Sequence, residues 1–150
     1  MANTYLMRWP SLGKQVRCDK IGHNQQIFDW WVDQLPLKAV HEETMVAGWC
    51  LYALVIPLKK RTTWEPGTEV KEDLSTNPIG RVHMDVSAGG VLESSIKFGE
   101  NTEYIPTISF AQVREEDLPI LKEVGMIVWK RIIQTKEITQ VEFVKADKEE

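Results

Sequence analysis

Cysteine is scarce in this chain. Two are present among 150 residues, Cys18 and Cys50, and neither sits in a Cys-x-x-Cys pair, so a zinc knuckle has nothing to build on. Two reduced thiols of a cytosolic protein is the reading that remains. Long apolar runs are missing as well. The longest, Trp49 to Leu58, is bounded by Gly48 and by Lys59-Lys60-Arg61. That length suits a buried strand and falls short of the roughly 18–20 residues that span a bilayer. Met1-Ala2-Asn3-Thr4 has no charged region leading into an apolar one, so no secretory signal is expected. A clustered basic face is also lacking: 18 Lys and Arg stand against 22 Asp and Glu, for a net charge of −4. That balance argues against a nucleic-acid surface. Neither a Gly-x-Gly-x-x-Gly loop nor an internal repeat occurs. What is present is an ordinary apolar fraction of 43% and a charged fraction of 27%, at a length that supports one domain, residues 1–150, with a real core.

Period-two alternation dominates. Thr4 to Trp9 reads as a strand ended by Pro10, and Ser11-Leu12-Gly13 as a turn into a second strand, Lys14 to Lys20. After Ile21-Gly22, the segment from His23 to Leu35 carries Ile27, Trp30, Trp31 and Leu35 at helical spacing. His23 or Asn24 is expected to cap it, and Pro36 stops it. Leu37 to Val46 and Trp49 to Pro57 read as strands meeting at Ala47-Gly48. Residues 59 to 79 are polar and turn-rich, a long loop of the kind that serves as a lid or binding segment. Gly80 to Val86 and Val91 to Phe98 form a hairpin around Ser87-Ala88-Gly89-Gly90, and Ile108 to Val113 is another strand. Glu115-Glu116-Asp117 opens a second helix with Leu118, Leu121, Val124, Ile127, Val128 and Ile132 at helical spacing. Gly125 is an interior blemish worth about 1 kcal/mol against Ala. Ile138 to Val144 closes the domain, and Ala146 to Glu150 is a charged tail. Strands joined by hairpins, with two helices, favour a closed antiparallel barrel of mainly β character over a doubly wound parallel fold.

The hairpin holds the most informative constellation. Arg81, His83 and Asp85 share one strand face, and Glu93, Ser95 and Lys97 share one face of the partner strand. The pattern is either a solvated strand face or the lining of a polar pocket; if the two faces coincide, Glu93 approaches the Arg81–His83–Asp85 row, and a catalytic role for the row is expected only if these side chains face inward, to an enclosed cavity. His41, between Val40 and Glu42-Glu43, is either a surface histidine or a proton donor whose pKa a neighbouring carboxylate raises. Trp30 and Trp31 read as core. Trp49 and Tyr52 could pack in the core or stack on a substrate ring. Trp64, in a polar loop, is open between lid, subunit contact and simple exposure.

The element order, together with Phe28 to Leu58 (Leu35-Pro36, His41, Gly48, Ile56-Pro57-Leu58), Gly80 to Gly99 (Phe98-Gly99) and Val113 to Trp129 (Leu118, Val124, Gly125), resembles the cyclophilin-like fold of small bacterial proteins. The similarity spans nearly the whole chain on short motifs. The Phe-x-Arg-Phe-His type of signature with which prolyl isomerases hold an X-Pro bond is missing, which counts against that activity. Within the group, the chemistry the resemblance implies is that of cucumopine and mikimopine synthases. These opine-forming enzymes join L-histidine to 2-oxoglutarate by a Pictet–Spengler cyclisation needing neither metal nor nicotinamide. On that reading Glu93 would be the base, His41 or His83 the acid, and Arg81 with Lys97 the carboxylate anchors, Arg being best for a bidentate grip. Asp85 would set the histidine tautomer, and Trp49 and Tyr52 would stack on the imidazole. The partners expected are an amino acid and a ketoacid, in a homo-oligomer acting on neither nucleic acid nor membrane. Another lyase or hydrolase of small acids, or a non-catalytic binding or assembly module, are the rival readings.

Overall fold

The computed structural model describes residues 2–43, 48–57, 59–86 and 91–146. The expected strand end at Thr44 to Val46, the turn residue Ala47, Leu58, the hairpin tip Ser87 to Gly90 and the tail from residue 147 lie outside the described residues. β1 (Thr4–Trp9) and β2 (Lys14–Lys20) are linked by one turn of 3-10 helix at Pro10–Leu12, ended by Gly13 at φ 62. Then follow α1 (Gln25–Asp33), β3 (Leu37–Glu43), β4 (Gly48–Pro57), the short β5 (Lys71–Asp73), β6 (Arg81–Val86), β7 (Val91–Asn101) and β8 (Pro106–Val113). α2 (Leu118–Lys130) and β9 (Gln140–Lys145) complete the chain.

The strands pair antiparallel in the order β2-β1-β9-β3-β4-β7-β6-β8, and β8 returns to β2. Eight strands thus close into a barrel, mainly β with two helices, and β5 adds a short outer strand along β8. Closure removes the open sheet edge that would otherwise invite aggregation. The interior follows from alternation. Tyr5, Met7 and Trp9 of β1 point into the apolar core, as do Val82 and Met84 of β6 and Leu92, Ile96 and Phe98 of β7. Trp31 of α1 meets Phe143 edge-on at 5.0 Å and Phe110 at 5.9 Å, while Tyr5 stacks on Phe110 at 6.4 Å. Burying such rings contributes about 1.5–3 kcal/mol each. α2 lays Leu121, Val124 and Val128 into the same core. Cys18 and Cys50 are buried free thiols. Among the described residues no helix is long and apolar enough to cross a membrane.

Several details depart from the sequence reading. The last strand starts at Gln140, leaving Ile138 exposed. Asn24 stands at the helix start with φ 55, but its side chain caps nothing there. Its amide donates to Val70 O (2.8 Å) and Ser109 O (2.7 Å), and its carbonyl accepts from Val70 N (2.9 Å). The stretch 59–79 is accordingly pinned. Gln34 Oε1 accepts from Lys59 N and Lys60 N, Trp30 Nε1 donates to Arg61 O, and Trp64 packs edge-on against Trp30 at 5.0 Å. His23 is neither a cap nor idle, since it bonds Glu72 at 2.9 Å.

Candidate functional site

β6 and β7 each have two faces. Val82, Met84, Leu92, Ile96 and Phe98 fill the core, so Arg81, His83, Asp85, Glu93, Ser95 and Lys97 stand on the outer face of the barrel wall. The polar row therefore does not point into the barrel, whose interior is occupied by rings. Residues 74–77 cover part of it, their Leu74 and Asn77 carbonyls accepting from Lys97, and the start of β8 flanks it.

The register arranges the outer face in rows. Tyr52 of β4, Ser95 of β7 and His83 of β6 lie opposite one another across three strands. One step along, Glu93 is directly opposite Asp85, a position in which Cβ atoms lie about 4.5–5.5 Å apart. A cleft of about 360 Å³ opens over these rows, lined by Tyr52, His83, Asp85, Glu93 and Ser95 and by Ile105, Pro106, Thr107 and Ile108, with Lys71 paired to Ile108 along the β5–β8 ladder.

Four of the eight candidates named from sequence, Tyr52, His83, Asp85 and Glu93, meet in this cleft. The other four do not. Arg81 is held by Glu72 in a bidentate pair, Nε to Oε1 and Nη2 to Oε2 both at 2.9 Å, which leaves its fork engaged. Although burial pushes the Glu72 carboxyl up, the hydrogen bonds from Arg81 and His23 outweigh it and hold it at about 2. Lys97 is 4% exposed and donates to Leu74 O and Asn77 O, each at 2.8 Å. It is a strut for the covering segment and not a carboxylate anchor. His41 faces the interior beside Leu37 and Ala39: Trp9 Nε1 donates to its Nε2 at 2.7 Å, and its Nδ1 donates to Tyr52 O at 3.0 Å. Burial pushes it down to about 4, the opposite of the raised pKa expected from its neighbouring carboxylates. Trp49 packs on Phe98 and Trp129, at 5.8 and 5.2 Å, in the contact between barrel and α2.

Within the cleft, electrostatics separate the residues into roles. His83 is 3% exposed and bonded to Ser95 Oγ (3.0 Å) and Asn77 Nδ2 (3.4 Å). Burial first, then the Lys97 and Arg81 charges, hold it down at about 4, so it is a neutral imidazole at pH 7. Ser95 and Asn77 are its partners; Asp85, expected to set its tautomer, stands opposite Glu93 instead. Burial, reinforced by the Cys50 and Glu93 charges, pushes the Tyr52 phenol up to about 12, keeping a proton available there. Glu93 is half-buried, and desolvation followed by the Asp85 and Glu42 charges raises its carboxyl above the usual range. Such a group exchanges protons nearer neutrality than an exposed carboxylate does.

Sequence reasoning missed Lys71, the sole cation among the described lining residues. It belongs to a three-residue strand, too short for any periodicity to register. Among the described residues no three His, Cys, Asp or Glu side chains converge to hold a metal ion.

No protein-family model and no curated protein matches the chain. Among solved structures, the chain is similar to McbB, described in complex with tryptophan, at 25% sequence identity with a TM-score of 0.78. The match covers 96% of this chain and 45% of that one, so the chain spans just under half the length of this neighbour. The closed mainly β barrel with two helices is common to both.

Proposed function

We propose that the protein is a cofactor-independent enzyme joining an aromatic amino acid to a carbonyl compound by Pictet–Spengler cyclisation. L-histidine with 2-oxoglutarate, the opine-forming pair of the cucumopine and mikimopine reaction, is the first pair to assay. The observation that carries this reading is the half-buried Glu93 carboxyl set opposite Asp85, in a cleft with the Tyr52 phenol and the Ser95-bonded His83. A carboxyl held above its ordinary range keeps its proton to a higher pH than a free one, and the reaction asks one group first to give a proton and then to take one.

Amine and carbonyl first add to a carbinolamine. Protonated Glu93 gives its proton to the carbinolamine hydroxyl, water leaves, and an iminium remains beside the Glu93 carboxylate. A ring carbon attacks the iminium carbon; the ring proton passes to Glu93, which restores aromaticity and returns the residue to its starting state. Asp85 lies where the developing iminium charge needs an anion. Tyr52 donates to oxygen, Lys71 meets the amino-acid carboxylate, and His83 fixes Ser95. The neighbour bound to tryptophan favours a second substrate choice, in which the ring is an indole.

Mixing the protein with L-histidine or L-tryptophan and 2-oxoglutarate, without nucleotide, is expected to give a product heavier than the amino acid by the ketoacid less one water. Glu93→Gln is expected to retain amino-acid binding and lose turnover by about 10²–10⁴-fold, the range for a general acid–base group. Full turnover in Glu93→Gln removes the mechanism. Affinity without product across a panel of amino acids and carbonyl compounds would instead mark a binding module.

A further inference from the structure

A second compartment of about 260 Å³ adjoins the cleft, sharing Met84, Asp85 and Ile108 with it. Its own lining is Thr62, Trp64, Pro66, Val86 and Glu69. Together the two volumes fall in the roughly 300–1,000 Å³ that small-molecule sites occupy. The Trp64–Glu69 side of the compartment is fixed by contacts within the protein. Trp64 is wedged edge-on against Trp30, and its indole Nε1 donates to Glu69 Oε1 at 3.0 Å. Glu69 Oε2 accepts from Gly67 N at 2.9 Å, which closes the loop on itself.

Charge decides what can enter. Among the described residues lining the cleft and the compartment, one cation, Lys71, faces three carboxylates, Asp85, Glu93 and Glu69. Arg81 and Lys97, which could have balanced a dianion, are bound to Glu72 and to two backbone carbonyls. The compartment itself presents an indole, a proline ring and aliphatic surface, with its carboxylates and no cation. A carboxylate moved into it would lose water and meet like charge.

We infer that the compartment beyond Asp85 receives the substituent of the carbonyl substrate, and that it selects uncharged, apolar substituents over the distal carboxylate of 2-oxoglutarate. The inference rests on the condensation reading for the identity of the ligand. The assignment follows from position: the amino-acid ring must lie within reach of Glu93, which lines the cleft alone, so the space across Asp85 is left for the other reactant. Trp64 is then the specificity-determining residue, and Lys71 serves the α-carboxylates in the cleft.

Three α-ketoacids that differ in their substituent give the test: pyruvate, 4-methyl-2-oxopentanoate and 2-oxoglutarate. Isothermal titration of the protein with each is expected to show the branched apolar acid binding at least about tenfold more tightly than 2-oxoglutarate, in line with what a few methylenes in an apolar pocket are worth. Trp64→Ala is expected to weaken the branched acid about tenfold and leave pyruvate unchanged. Thr62→Lys, at an exposed position that leaves folding intact, is expected to raise 2-oxoglutarate affinity by placing a cation in the compartment. Equal or tighter binding of 2-oxoglutarate by the wild-type protein overturns the inference. So does an effect of Trp64→Ala on amino-acid binding in place of ketoacid binding. Absence of condensed product with every pair, while the binding preference persists, would overturn the reaction and leave the compartment's selectivity standing.

Discussion

Replacing Gly125 with Ala sets two known effects against each other. An alanine inside an exposed helix would stabilise it by about 1 kcal/mol over glycine. Gly125, however, lies against Phe98: an added Cβ would stand 2.5 Å from Phe98 Cδ2 and 2.6 Å from Cε2, where carbon atoms prefer about 3.5–4.0 Å. The ring would have to retreat by roughly 1 Å, and it has nowhere to go. Phe98 is 4% exposed and is backed by Trp49 at 5.8 Å, which itself meets Trp129 at 5.2 Å and closes on Gly99. Overpacking of that kind costs about 1–3 kcal/mol, and with both flanks rigid the upper half applies. The expected net result is destabilisation by about 1–2 kcal/mol, or roughly 2–8 °C in Tm for a domain of this size. Urea melts followed by far-UV circular dichroism measure it, with Phe98→Leu as the companion. In the Phe98→Leu background Gly125→Ala is expected to turn neutral or stabilising, a coupling of about 1 kcal/mol or more. A wild-type background in which Gly125→Ala melts later would refute the packing argument.

Three further outcomes concern ionisable side chains. His41 and His83, both held at about 4 against 6.5 for a free imidazole, are neutral when folded, so stability is lost as pH falls from about 6.5 toward 4. Burial raises Glu43 from 4.5 to about 8, which acts in the opposite sense: its contribution is full below about 4.5 and lost as pH rises to about 8. Glu93, also raised, acts in the same sense as Glu43, so histidines and carboxyls offset one another on the acid side, while above about 6.5 the carboxyls act alone and Tm is expected to fall toward pH 8. In Glu43→Gln the decline on the alkaline side should shrink to the part Glu93 contributes, and a flat wild-type profile would contradict these assignments. Lys97→Met strands the Leu74 and Asn77 carbonyls, at about 1–3 kcal/mol for each buried acceptor left unpaired. Urea melts and faster amide exchange across 74–77 report it, and unchanged stability would return Lys97 to the surface. Asp85→Asn takes away one of the charges that raise Glu93, so the Glu93 inflection in a kcat/KM–pH profile is expected to move to lower pH. An unmoved inflection detaches Glu93 from turnover.

Strand alternation made the barrel readable from sequence, because each β1, β6 or β7 side chain has one apolar and one polar choice of face. The same rule brought His83, Asp85 and Glu93 together. It failed for Arg81 and Lys97, whose partners, Glu72 and the carbonyls of Leu74 and Asn77, come from a stretch with no period to read. His41 was misplaced for a different reason. Leu37, Ala39 and His41 share the inward face, yet Val40 on the outer face blurs the alternation, and the indole that satisfies the imidazole lies 32 residues away in the chain. Trp64 looked stranded in a polar loop because the ring that shelters it, Trp30, belongs to α1.

The wall formed by β6 and β7 serves two masters without mixing them. Its concave side is solid with aromatic and aliphatic groups, so a guest arriving on the convex side never has to part them. Divergence toward a new guest would be written in the two stretches that line that side, around Trp64–Lys71 and Ile105–Ile108, while the load borne by the interior stays the same.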